Sequence, residues 1–130
     1  MKEPSQLTDE IANAVIGASI EVHRILGPGY LESVYEEALA VELAERGMSF
    51  KRQSAVTLSY KGREIGMSRL DLVVGDKVIV EIKAVDALAP VHRAQLISYL
   101  RATGLELGLL INFNQHALKD GIRRVVNTTR

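Results

Sequence analysis

Nine residues constrain the fold more than any others. From Leu105 to Phe113 the chain reads Leu-Glu-Leu-Gly-Leu-Leu-Ile-Asn-Phe, a short and nearly continuous apolar run. It is too short for a core helix and shows no alternation. It therefore predicts a strand buried on both faces, central in its sheet and partly parallel to its neighbours. A parallel pair needs a crossover, and helices must then cover both faces.

The rest of the chain supplies those elements. Ile11, Ala14, Val15, Ala18, Val22 and Ile25 form one apolar stripe and predict a helix over 8–26, capped by Thr8 and stopped at Gly27-Pro28. A second helix is expected over 31–46. On it Glu32 shares a side with Tyr35, Glu36, Leu39 and Leu43, and a carboxylate there is costly to bury unless it is paired or holds a cation. Val56, Leu58 and Tyr60 alternate as a strand, Lys61-Gly62 turns, and strands follow over 65–74 and 78–84. Pro90 opens a helix that Gly104 stops. A last short helix is expected over 118–126, with Lys119 and Arg123 one turn apart. The order α-α-β-β-β-α-β-α describes an α/β domain over 1–130, with a mixed sheet of about four strands and a loose tail over 1–6.

The chemistry-bearing residues lie where apolar ones would be expected. Asp71 interrupts Leu70-Asp71-Leu72-Val73-Val74. Glu81 and Lys83 interrupt Val78-Ile79-Val80-Glu81-Ile82-Lys83 and share one face, while Val78, Val80 and Ile82 make the other face core. Hairpin register decides whether the carboxylates meet. A two-residue loop at Gly75-Asp76 would turn Asp71 away from Glu81. A three-residue loop, Gly75-Asp76-Lys77, pairs Val74 with Val78 and sets Asp71 against Glu81. The three-residue loop is the one expected. Two opposed carboxylates repel, and a divalent cation with hard oxygen ligands, Mg²⁺ or Mn²⁺, relieves this. The plainer alternatives are a solvent-facing ion pair for Glu81 and Lys83, and an edge-strand charge for Asp71.

Asp71 followed across a hairpin by Glu81-Ile82-Lys83 resembles the PD-(D/E)XK nuclease superfamily, whose α-β-β-β-α-β core has the same order in a restriction-endonuclease-like fold. The proline of the signature is absent, since Arg69-Leu70 precedes Asp71. Gly29-Tyr30-Leu31-Glu32-Ser33-Val34-Tyr35 resembles the GxxExxY family, and Gln95-Leu96-Ile97-Ser98-Tyr99 is similar to the Q-x-x-x-Y motif of the RecB-like and Cas4-like branches. The resemblance implies that Asp71, Glu81 and the Ile82 carbonyl ligate metal. Lys83 would orient or deprotonate the attacking water, or offset transition-state charge. Glu32 would complete the shell or position a water, and Gln95 and Tyr99 would hold the site or touch substrate. His92, three residues before Gln95, is a candidate phosphate contact. His23 and His116 lack partners at metal-ligand spacing and read as a helix-capping and a loop residue.

The expected function is metal-dependent hydrolysis of phosphodiester bonds in nucleic acid, DNA ahead of RNA. A non-catalytic nucleic-acid-binding or protein-interaction module is the alternative, and a small-molecule phosphohydrolase a third reading. Composition fits these. With 47% hydrophobic residues the chain is not disordered. No apolar run reaches the ~18 residues that span a bilayer. The polar start Met1-Lys2-Glu3-Pro4-Ser5 predicts no signal peptide. With no cysteine, disulfides, thiolate catalysis and Cys-ligated zinc are excluded, and a cytoplasmic location fits. Net charge is zero, but residues 1–65 carry −3 and residues 66–130 carry +3. Arg93, Arg101, Lys119, Arg123 and Arg124 are candidate phosphate contacts. Two Phe, four Tyr and no Trp argue against a stacking platform for single strands. A neutral domain of this kind is expected to act as a homodimer or with a partner protein.

Overall fold

The computed structural model describes residues 3–129. Helices α1 (Gln6–Leu26) and α2 (Glu32–Glu45) precede strands β1 (Phe50–Tyr60), β2 (Arg63–Val74) and β3 (Val78–Lys83). Helix α3 (Pro90–Thr103), strand β4 (Leu107–Asn112), a 3₁₀ turn (Leu118–Gly121) and strand β5 (Ile122–Val126) follow. The sheet order is β1-β2-β3-β4-β5. Strand β4 runs parallel to β3 and every other neighbouring pair is antiparallel. The mixed α/β sheet with helices on both faces is the expected fold, with β4 buried along its whole length.

Each face has its own core. Helices α1 and α2 cover Leu72, Val74, Val78, Val80, Ile82, Leu107, Leu109 and Ile111. Helix α3 covers Val73, Ile79 and Leu110 through Leu96, Tyr99 and Leu100. Burying these side chains contributes on the order of 1.5–3 kcal/mol each. Gly108 lets α3 come close, because a Cβ there would stand 2.7 Å from Leu96 Cδ1.

Three expectations are corrected. Segment 118–126 is no helix. Gly121 packs so tightly that a Cβ would fall 2.3 Å from the Asn112 carbonyl oxygen, and the β-branched Ile122, Val125 and Val126 continue as a fifth strand beside β4. Lys119 and Arg123 therefore do not share a helix face. Helix α1 begins two residues early. Ser5 is the cap, its Oγ accepting the Thr8 N–H at 3.2 Å, while Thr8 is buried and donates to Glu106. His23 is no cap either. It is buried, and its Nε2 donates to the Gln115 carbonyl at 2.7 Å.

The β2–β3 connection is the three-residue loop. Val74 pairs with Val78, Val73 with Ile79 and Leu72 with Val80. The Lys77 N–H closes the turn on the Val74 carbonyl at 3.1 Å, with Gly75 and Asp76 both in the left-handed region. Past Leu72 the two strands part. The remainder of β2 pairs only with β1, and this ribbon leans on α3.

Candidate active site at a strand fork

The next residues beyond the last β2–β3 pair are Asp71 and Glu81. The ladder stops there because Asp71 replaces it. Its Oδ2 accepts the Ile82 N–H at 2.8 Å, a main-chain donor that a continuing strand would have used. Across β1 the matching position is Gln53. It carries φ +49 and drops out of the register between Arg52↔Leu72 and Ser54↔Leu70. A non-glycine residue in that region costs on the order of 1 kcal/mol. Gln53 is held there by Glu36, whose Oε1 accepts its Nε2 at 2.6 Å.

Glu81 is 6% exposed, and its Oε1 is buried with no hydrogen-bond partner among the described residues. Its carboxyl is pushed up to about 8, first by burial and next by the charge of Asp71, with a hydrogen bond to Asp71 also favouring the protonated form; Lys83 pulls the other way. A carboxylate placed like this is costly without a cation. Two neighbouring carboxylates, one with an oxygen left without a partner among the described residues, are hard oxygen donors of the kind a divalent ion such as Mg²⁺ or Mn²⁺ takes. The donor set thus fits such an ion.

Lys83 ends β3, half-buried, on the same face as Glu81. Its backbone is fixed, since its carbonyl accepts the Phe113 N–H at 2.8 Å. Asn112 fixes the chain just beyond. Fully buried, it accepts the Val85 N–H at 3.1 Å and donates to the Val85 carbonyl at 2.9 Å. Sequence reasoning missed Asn112, though a lone amide inside an apolar run was its signal.

Glu32 does not join the pair. It stands exposed in the first turn of α2, and the buried carboxylate of that helix is Glu36, ion-paired with Arg52 at 3.0 Å. Among the described residues no three His, Cys, Asp or Glu side chains gather to hold a metal. Leu31 to Val34, at the start of α2, are all exposed. Tyr35 of the same motif is structural. It is fully buried, stacks on Phe113 at 4.6 Å, and donates to the Gly27 carbonyl at 2.6 Å.

Gln95 is exposed, whereas Tyr99 is buried with its hydroxyl 2.8 Å from Ser68 Oγ of β2. That contact ties α3 to the fork. His92 turns inward on its own helix, its Nδ1 accepting the Ala89 N–H at 3.0 Å.

A mixed sheet covered on both faces, with acids at a fork between its second and third strands, is the architecture of restriction-endonuclease-like enzymes. The fold is similar to that of an alkaline exonuclease (LHK-Exo) from Laribacter hongkongensis, with a TM-score of 0.51 and 14% identity over 97% of this chain and 72% of that one. No curated protein matches the sequence. The family model of the PD-(D/E)XK nuclease superfamily matches residues 9–125, and the chain belongs to that superfamily. Nucleases of this superfamily generally use divalent metal ions. Among the described residues no helix is long and apolar enough to cross a membrane.

Proposed function

We propose that this chain is a single-domain, Mg²⁺-dependent nuclease, with Mn²⁺ as substitute, that hydrolyses phosphodiester bonds in nucleic acid, DNA ahead of RNA. The observation that carries the reading is the buried Glu81 carboxyl beside Asp71, whose Oε1 has no hydrogen-bond partner among the described residues. Asp71, Glu81 and the Ile82 carbonyl are the proposed ligands. A bound divalent ion supplies a lowered water pKa and positive charge where the phosphoryl group gains negative charge. Lys83 faces the same space, where it orients the attacking water or offsets transition-state charge. Gln95, at the exposed side of α3, is placed to touch the nucleic-acid backbone, and Tyr99 positions α3 through Ser68. His92 keeps Nε2 for such a contact. Glu32 has no ligand role in this scheme. The G-x-x-E-x-x-Y and Q-x-x-x-Y runs support a place in the GxxExxY family and the RecB-like and Cas4-like branch.

The test is Mn²⁺ calorimetry on the wild type, Asp71→Ala and Glu32→Gln, with folding matched by circular dichroism. Uptake by the wild type and Glu32→Gln but not by Asp71→Ala is the expected result. Branched, nicked and single-stranded DNA and RNA are then screened for cleavage, with Lys83→Ala as the inactive control. No uptake by the wild type, even with DNA present, would overturn the reading.

A further inference from the structure

Helix α3 divides the space over the sheet. Its Tyr99 side looks toward β2 and the fork. Its other side, with the β4–β5 half of the sheet, borders an open cavity of about 320 Å³ lined by Leu88, Ala89, Pro90, Arg93, Leu110 and Arg123. The register connects this cavity to the acids. Glu81 pairs with Leu110, and Leu110 pairs with Arg123, so Glu81, Leu110 and Arg123 form one row across three strands, and Asp71 lies just past the last β2–β3 pair. Two strand spacings place the Arg123 backbone about 10 Å from that of Glu81.

The cavity carries uncompensated positive charge. No acidic side chain lines it. Arg93 makes no hydrogen bond or ion pair among the described residues. Arg123 uses only Nη1, which donates to the carbonyls of Asp120 and Ile122 at 3.0 Å each. Its Nε and Nη2 stay available as a planar fork suited to phosphate. Arg124, by contrast, is spent on Asp9.

We infer that Arg93 and Arg123 form a phosphate subsite, which holds a backbone phosphate flanking the scissile one and sets the strand's direction across the acids. The inference rests on the nuclease reading for the position of the scissile phosphate. The two arginines would bind rather than react, so they are positioning residues.

The experiment measures binding of a fluorescein-labelled DNA duplex by polarisation in Mn²⁺ across a salt series. All proteins carry Lys83→Ala so that the duplex stays intact. Adding Arg93→Gln and Arg123→Gln should weaken binding roughly tenfold and make the salt slope shallower by about two, one for each phosphate-directed cation. Adding Arg24→Gln and Lys77→Gln, two exposed cations away from the cavity, should leave slope and affinity nearly unchanged. Equal slopes in the cavity pair and the parent, an equal loss in the remote pair, or no duplex binding by the parent would each overturn the inference. Mn²⁺ calorimetry on the same proteins separates the two readings. Uptake with an unchanged slope removes the subsite and keeps the nuclease, whereas absent uptake removes the nuclease reading and leaves the slope comparison to decide whether the cavity binds phosphate.

Discussion

Glu81 concentrates the physical tension of the molecule. Its carboxyl titrates near 8, well above the ordinary 4.5, because burial and Asp71 both oppose its charge. The folded protein therefore holds a proton that the unfolded chain releases between those values. This contribution to stability is fully present below pH 4.5 and is lost as pH rises through 8. Glu81→Gln removes the penalty, and we expect it to stabilise the metal-free protein at pH 9 by on the order of 2 kcal/mol in urea denaturation while abolishing Mn²⁺ uptake. A loss of stability comparable to a cavity mutation would contradict that account. In the wild type the ion competes with the same proton. Apparent Mn²⁺ affinity should rise about tenfold per pH unit from 6 toward 8, measured by calorimetry, and then level off. Asp71 and Glu81 were legible in the sequence because each stands alone among β-branched and aliphatic neighbours, and the loop Gly75-Asp76-Lys77 fixed their register. Glu32, expected to complete the metal shell, stands exposed instead, because helical spacing gives a side of a helix but not which turn of that side is covered. Glu36, one turn later, is the acid that the sheet covers.

Among the elements, α3 joins the β1–β2 ribbon to the β4–β5 half of the sheet. It starts at Pro90, ends at Gly104 with φ +73, and was readable from those two residues alone. What the sequence did not reveal is how closely it packs. Its Leu96 lies against Gly108, where a side chain on β4 would collide. Gly108→Val should therefore cost about 1–3 kcal/mol in denaturant unfolding and lower nuclease activity by lifting α3. An unchanged stability would show that α3 can yield there. Strand β5 was hidden for a different reason. Five residues with two adjacent arginines carry too little pattern to separate an edge strand from a helical turn. The deciding contact, Gly121 against the Asn112 carbonyl, joins residues nine apart.

For the whole molecule, the fork divides the sheet into parts that differ in how they are held. Strands β3 and β4 are sealed by helices on both faces. The β1–β2 ribbon beyond Leu72 has no third strand, and α3 is its main support. Amide hydrogen exchange should resolve two cooperative units. Amides of 55–68 and of α3 are expected to open together, at a lower free energy than those of 79–82 and 108–111. Tyr99→Phe, which removes the link to Ser68, should speed exchange in the first unit and leave the second unchanged. Uniform protection across both would count against the division. At the boundary sits the Ile82 amide, the first main-chain proton past the ladder, sealed only by an aspartate oxygen. That proton is a built-in clock. Its exchange rate times how long Asp71 keeps its grip on the backbone, so the integrity of the acid pair can be followed at one resonance without substrate or turnover.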